Sequence, residues 1–262
     1  MGGVQDISWL DLMLGYILLI IPLYFLYYYQ TGLVKAAVIA VIRMTIQLFL
    51  VGFYLEWFFK LNNAFINISW VFFMILIASF TTIRRSGLNR KMFLAPILIS
   101  ITLSVFFVVF YTIIVVVGLD YAFEARYLIP IAGMLLGNSM SNNIIALNTF
   151  YDSISKDQNI YRYSLANGGT KDESLKYFMS QALRRAVSPS IATTAVMGLI
   201  SLPGMMTGQI LGGSNPMVAI KYQIMMMIII LTSSMITIML SIKISSYFVF
   251  DQYDMPKKGF RK

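Results

Sequence analysis

Ser201-Leu202-Pro203-Gly204-Met205-Met206-Thr207-Gly208-Gln209-Ile210-Leu211-Gly212-Gly213 lies between two strongly apolar segments of the chain. It carries no charge, and it concentrates glycine, proline, thioethers and an amide where a plain membrane helix carries Leu and Val. From Ile191 to Leu202 there are only about a dozen apolar residues, roughly 18 Å of helix against a hydrocarbon core of about 30 Å. A helix that stops at Leu202 is too short to cross, so Pro203-Gly204 is expected to break the segment inside the membrane. Such a break persists only where protein or a water-filled cavity covers the freed backbone. The plainer alternative starts the span earlier and makes residues 203–213 an outer loop.

Outward from this stretch, apolar runs of about 20 residues recur along nearly the whole chain. The 262 residues are 58% hydrophobic and only 12% charged, about half the charge of an ordinary soluble domain. This is the composition of an all-α polytopic membrane protein, because barrel strands would alternate in short segments. About seven spans are expected, near residues 10–29, 34–55, 66–83, 93–118, 127–150, 190–210 and 218–247, in one membrane domain covering 1–262. The first run has no basic leader and no small-residue cleavage pattern, so it reads as a retained helix. The tail, 251–262, is polar and expected to fray.

The formal charge of +9 tracks membrane sidedness and not nucleic acid. With the N-terminus outside, sixteen basic residues fall in cytoplasmic segments, among them Lys35, Arg84, Arg85, Arg90 and Lys91, and only Lys60 and Arg126 fall outside. Arg43 and Lys221 lie within or at the edge of spans. That asymmetry predicts an N-out, C-in topology.

The largest soluble segment, residues 151–189, is then cytoplasmic. Asn167-Gly168-Gly169 should end one helix and turn the chain. Thr170 and Glu173 have capping-box spacing, opening a helix from Lys171 to Ala186. Leu175, Phe178, Met179, Ala182, Leu183 and Ala186 share one face of it, with Arg184 and Arg185 toward the other. Pro189 is expected to end or kink this helix. Two readings are open for it: an amphipathic helix lying on the inner leaflet, or a docking element for a cytosolic partner.

Candidate chemistry is sparse. The chain has no Cys and no His, which removes thiolate and imidazole metal sites, cysteine nucleophiles and the usual proton shuttle. No carboxylate falls deep in a span, which argues against proton- or sodium-coupled carriage and against a paired-Asp protease. No nucleophile with a base is found, so no catalytic residue is assigned. No GxxxxGK[ST] loop occurs, so the chain binds no ATP as a P-loop ATPase itself. Arg43 with Gln47 one turn on either faces a polar interior or snorkels to the interface. In Gly133-Met134-Leu135-Leu136-Gly137-Asn138-Ser139-Met140-Ser141-Asn142-Asn143, the glycines four apart suit close helix packing. Asn138, Asn142 and Asn143 suggest a polar seam or a cavity, and Thr207 and Gln209 extend it. Met134, Met140, Met205 and Met206 admit a soft cation, although packing is the commoner use of methionine, so metal ligation stays open.

The run Gly198 to Leu211, followed by Asn215-Pro216 and Lys221-Tyr222-Gln223-Ile224, resembles the signature segment of the FetB-type ABC transporter permeases. Gly133-Met134 with Gly137-Asn138-Ser139-Met140 is similar to that family's fifth-span motif. Leu165-Ala166-Asn167-Gly168-Gly169-Thr170 with Ala182-Leu183-Arg184-Arg185-Ala186 and Pro189 is similar to its cytoplasmic loop, and Arg43 with Gln47-Leu48 to an early motif. The family is linked to bacterial iron export, and its plant relatives to aluminium tolerance.

The resemblance implies a multi-pass permease subunit of the cell membrane that dimerises and works with two copies of a separate cytosolic ATPase. ATP and Mg would enter through that partner. The helix after Thr170 would be the coupling helix, with Leu175, Phe178, Met179 and Leu183 as anchors and Arg184 and Arg185 at the rim. Pro189, Pro203 and Gly204 would pass its motion to a pathway beside Asn138, Asn142 and Met205 to Gln209. A gated channel and a non-transporting scaffold are the readings from other classes.

Overall fold

The computed structural model describes residues 7–257 and 259–261. The described residues form ten α-helices and one π-helical segment, joined by short turns. They are α1 (Trp9–Ile17), α2 (Ile20–Tyr28), α3 (Val34–Leu61), α4 (Ala64–Arg85), α5 (Arg90–Phe110, continued as a π-helix over Tyr111–Val117), α6 (Ala125–Lys156), α7 (Gln158–Ala166), α8 (Lys171–Val196), α9 (Gly204–Leu211) and α10 (Pro216–Val249). Isolated bridges, and no strands, are found among the described residues.

Five stretches are long and apolar enough to cross a membrane: Trp9–Tyr28, Val34–Leu61, Ala64–Arg85, Arg90–Val117 and Pro216–Val249. The expected fifth span is helix α6, 32 residues long but diluted by Asn138, Ser139, Ser141, Asn142 and Asn143. The expected sixth span is not one helix. α8 ends at Val196, residues 197–203 form a non-helical link, and α9 adds eight residues.

Two prolines correct the expected boundaries. The first apolar run breaks at Leu18-Leu19 between α1 and α2. Pro22 explains this, since it has no N–H for the Leu18 carbonyl and its ring crowds that group. Pro189, expected to end or kink the cytoplasmic helix, instead lies inside an unbroken α8. The bond lost is the one to the Arg185 carbonyl, and the helix runs on past it for seven residues to Val196, with Thr193 Oγ1 donating to the Pro189 carbonyl at 3.0 Å and Thr194 Oγ1 to the Ser190 carbonyl at 2.8 Å. The actual break comes at Met197, ahead of Pro203.

The core is built by α4, α5, α6, α8 and α10. On α10, Ser233, Thr237, Ser241 and Ser245 recur every fourth residue and are all buried. Small side chains at that period let helices approach closely without a large apolar residue between them. Cross-links along the seam include Ser104 Oγ to the Ser233 carbonyl at 2.9 Å, Asn143 Nδ2 to Ser241 Oγ at 2.9 Å, and Tyr151 with Ser245 at 2.7 Å. Gly133 serves the packing expected of it, because a β-carbon there would lie 3.2 Å from the Met74 methyl. Gly137 is open.

One end of the bundle gathers the α4–α5 turn, the C-termini of α6 and α10, α7 and the start of α8. It carries most of the basic residues. Here the described residues of the tail are docked and not frayed: Leu88 bridges Arg261, Asn89 Nδ2 donates to the Gly259 carbonyl at 3.0 Å, and the Phe260 ring packs tilted against Tyr151. Arg261 pairs with Asp152, and Tyr161 donates to the Asp254 carbonyl at 2.7 Å. At the opposite end, Asn62 accepts from the Ala125 amide at 2.9 Å, and Phe58, Ala125 and Ile129 form a second apolar cluster. α3 meets the core only near that end, and α1 and α2 bury no residue.

Candidate functional site

The basic end presents α8. Thr170 accepts from the Glu173 amide at 3.3 Å, while the Glu173 carboxylate takes the Thr170 amide at 2.8 Å, the reciprocal capping box. Those hydrogen bonds from Thr170 hold the exposed Glu173 carboxyl below its usual range. Gly168 has φ of +85°, which fits glycine at a helix end. Gly169 is needed for closeness, because a β-carbon there would meet the Ser164 carbonyl at 2.9 Å.

The apolar face expected to anchor a partner is already used. Leu175, Phe178, Ala182 and Ala186 are buried within the chain, and Phe178 packs edge-on against Tyr161 of α7. Met179 and Leu183 are partly buried against the same core. The periodicity marks a buried face, and the chain's own α6, α7 and α10 cover it. The face turned outward carries Tyr177, Ser180, Gln181, Arg184 and Arg185, and these line a shallow groove that reaches Pro189.

At its far end α8 gives way to the link. Gly198, with φ of +86°, turns the chain, and its amide donates to the Ser201 carbonyl at 3.0 Å. Leu199 and Ile200 at the tip are 89% and 82% exposed. The link shares a cavity with α10 residues Ile220 to Leu231. It is thus level with the N-terminal half of α10, not beyond that helix's end.

α9 stands between two cavities. One, of about 490 Å³, is lined by Thr194, Met197, Gly198, Leu202, Pro203 and Met206 and by the Ile220–Leu231 stretch of α10, including Gln223 and Met227. The other, of about 320 Å³, is lined by Arg126, Tyr127, Met134, Met205, Gln209 and Tyr222, with Met225 and Met226 beside them. Gln209 Oε1 and Gln223 Oε1 are both buried without a hydrogen-bond partner among the described residues. Gln223 Nε2 rests on the Met197 sulfur at 3.7 Å.

Of the expected pathway residues, Met205, Met206 and Gln209 reach these cavities. Thr207 does not, since its hydroxyl donates to the Pro203 carbonyl one turn back. Asn138 is exposed and donates to the Met134 carbonyl of its own helix, while Asn142 bridges α6 to Ser190 of α8 at 3.2 Å. Arg43 and Gln47 are exposed on α3, apart from the others. Sequence reasoning quoted Gln223-Ile224 only as part of a motif, and it missed Met197, Met225, Met226 and Met227. The clustering of methionines around an amide in an apolar helix was the available signal. Among the described residues no group of three His, Cys, Asp or Glu side chains could hold a metal.

Helices of spanning length and a buried polar seam define a multi-pass helical membrane protein. Residues 9–250 match the family described as "Uncharacterised protein family (UPF0014)", and the chain belongs to that family. It is 28% identical to the UPF0014 membrane protein YjkA of Bacillus subtilis, over 88% of this chain and 90% of that protein. It is 34% identical to Protein ALUMINUM SENSITIVE 3 of Arabidopsis thaliana, over 72% and 67%. It is 30% identical to the probable iron export permease protein FetB of Escherichia coli, over 87% of each chain. No solved structure matches the chain.

Proposed function

We propose that the chain is the membrane subunit of an ATP-driven exporter of iron or a related metal species in the cell membrane. In this reading it works as a homodimer with a separate cytosolic ATPase that supplies ATP and Mg. The name of the Escherichia coli relative supports the transport class and the substrate. One observation carries the mechanism: α8 is a single helix of 26 residues from the basic end to the break at Met197, about 39 Å long. A rod that long carries a push on its exposed Tyr177-Gln181-Arg184-Arg185 face straight to the link. Motion is then absorbed at Met197 to Pro203, not at Pro189.

Seven crossings are counted in this reading: α1 with α2 as one, α3, α4, α5, α6, α8 with α9 as one, and α10. The basic end is cytoplasmic by the positive-inside rule. Exposed Arg43 and Gln47 on α3, exposed Asn138 and Ser141 on α6, and the open backbone of the link all sit at membrane depth in this topology. Polar groups and irregular backbone there require protein cover, which supports a second copy.

The test uses the permease and its genetically neighbouring or co-purifying ATPase together. Arg184→Glu with Arg185→Glu is expected to abolish ATPase association and ATP-dependent uptake of labelled iron into inside-out vesicles, with thermal stability unchanged. Full association and coupled transport by this variant would overturn the assignment. Uptake that proceeds without any ATPase would favour a channel instead.

A further inference from the structure

We infer that the cavity between the α8–α9 link and α10 is a binding site for a soft monovalent metal ion of the Cu(I) or Ag(I) kind, held by Met197, Met206 and Met227 with Gln223. Three thioethers from three separate elements line it, and none of its lining residues is charged. Thioethers are neutral, polarisable ligands that favour soft cations and hold Fe(II), Mn(II) or Zn(II) poorly.

Gln223 supplies the independent observation. It is 8% exposed, its Nε2 lies against the Met197 sulfur, and its Oε1 has no partner among the described residues. A buried carbonyl left unpaired is destabilising, and the charge of a cation held by the methionines would give that oxygen a favourable partner. Across α9 the arrangement repeats, with Met134, Met205, Met225 and Met226 around the unpaired Oε1 of Gln209. Seven of the chain's eighteen methionines therefore lie on or beside one short helix. The second cavity has Arg126 among its lining residues. Its guanidinium opposes a bare cation there, so the uncharged cavity is the one assigned.

The inference goes beyond the transport reading: it assigns a soft-metal site separate from any iron-binding step, and it does not depend on transport. Binding is tested on the permease alone, without ATPase, so loss of coupling and loss of the metal site are separable. The full chain in lipid nanodiscs is equilibrated with silver nitrate in chloride-free buffer, and retained silver is counted by mass spectrometry. Fe(II), Mn(II) and Zn(II) are run in parallel. Removing groups that only support a metal ligand costs about 10–100-fold in affinity. Met197→Leu/Met206→Leu/Met227→Leu is thus expected to weaken silver binding by more than about 100-fold, while near-equal volume preserves the fold. Gln223→Leu is expected to weaken silver binding and leave the thermal midpoint equal or higher, since it removes the unpaired carbonyl. Silver affinity should not change between about pH 5 and 8, because no ligand has a proton to lose. Equal silver retention by the triple variant, equal retention of Fe(II) or Zn(II) by the native chain, or no silver retained at all would each overturn the assignment.

Discussion

Phe178 shows what a single residue's spacing can and cannot say. Its place on the stripe with Leu175 and Ala182 was legible in the sequence, and the stripe is buried as a 3.6-residue period requires. Which body covers it was not legible, because periodicity gives the direction of an apolar face and not the identity of its neighbour. Tyr161, whose phenol is pushed up by burial and by Asp254 and Asp251, is the neighbour that settles it. Phe178→Ala is expected to destabilise the protein by about 3–5 kcal/mol, read as a lowered unfolding midpoint in nanodiscs. A variant with native stability and lost partner binding would return Phe178 to a docking role.

Among the elements, α10 and α8 were read unequally well. Residues 218–247 were expected as a span, and the observed helix is Pro216–Val249, because an unbroken apolar run admits one answer. The capping box at Thr170 was equally plain. The continuity of α8 through Pro189 was not, since Ala186 and Val187 just before it are buried in the core, and rules about proline see only the proline and not the packing that holds the helix on either side. The amide-rich part of α6 was legible as polar but not resolved into its roles: Asn138 turns outward, Asn142 holds α8, and Asn143 enters the core seam. A double-mutant cycle between Asn143→Ala and Ser241→Ala is expected to give a coupling of about 0.6–1.7 kcal/mol. Additive effects would mean the contact contributes only packing.

For the whole molecule, charge asymmetry marks one end of the bundle, and at that end the described tail residues are cross-linked to α6, α7 and the α4–α5 turn. The methionines were legible as candidates, but which of them share a cavity and how α1–α3 are set were not, because both arise from tertiary placement of residues far apart in sequence. That setting has a mechanical consequence. Tyr54 and Phe58 on α3 rest on Trp70 near one end of the bundle, while the rest of α1, α2 and α3 lies free of the core. The N-terminal helices therefore form a lever with its fulcrum at Phe58, and a small tilt there is amplified across the roughly 36 Å from Phe58 back to Val34. Spin labels at Thr31 and Arg85 should give a broader distance distribution than labels at Leu61 and Phe123. If the two widths are equal, α3 is clamped along its length, and the arm that carries Arg43 does not swing.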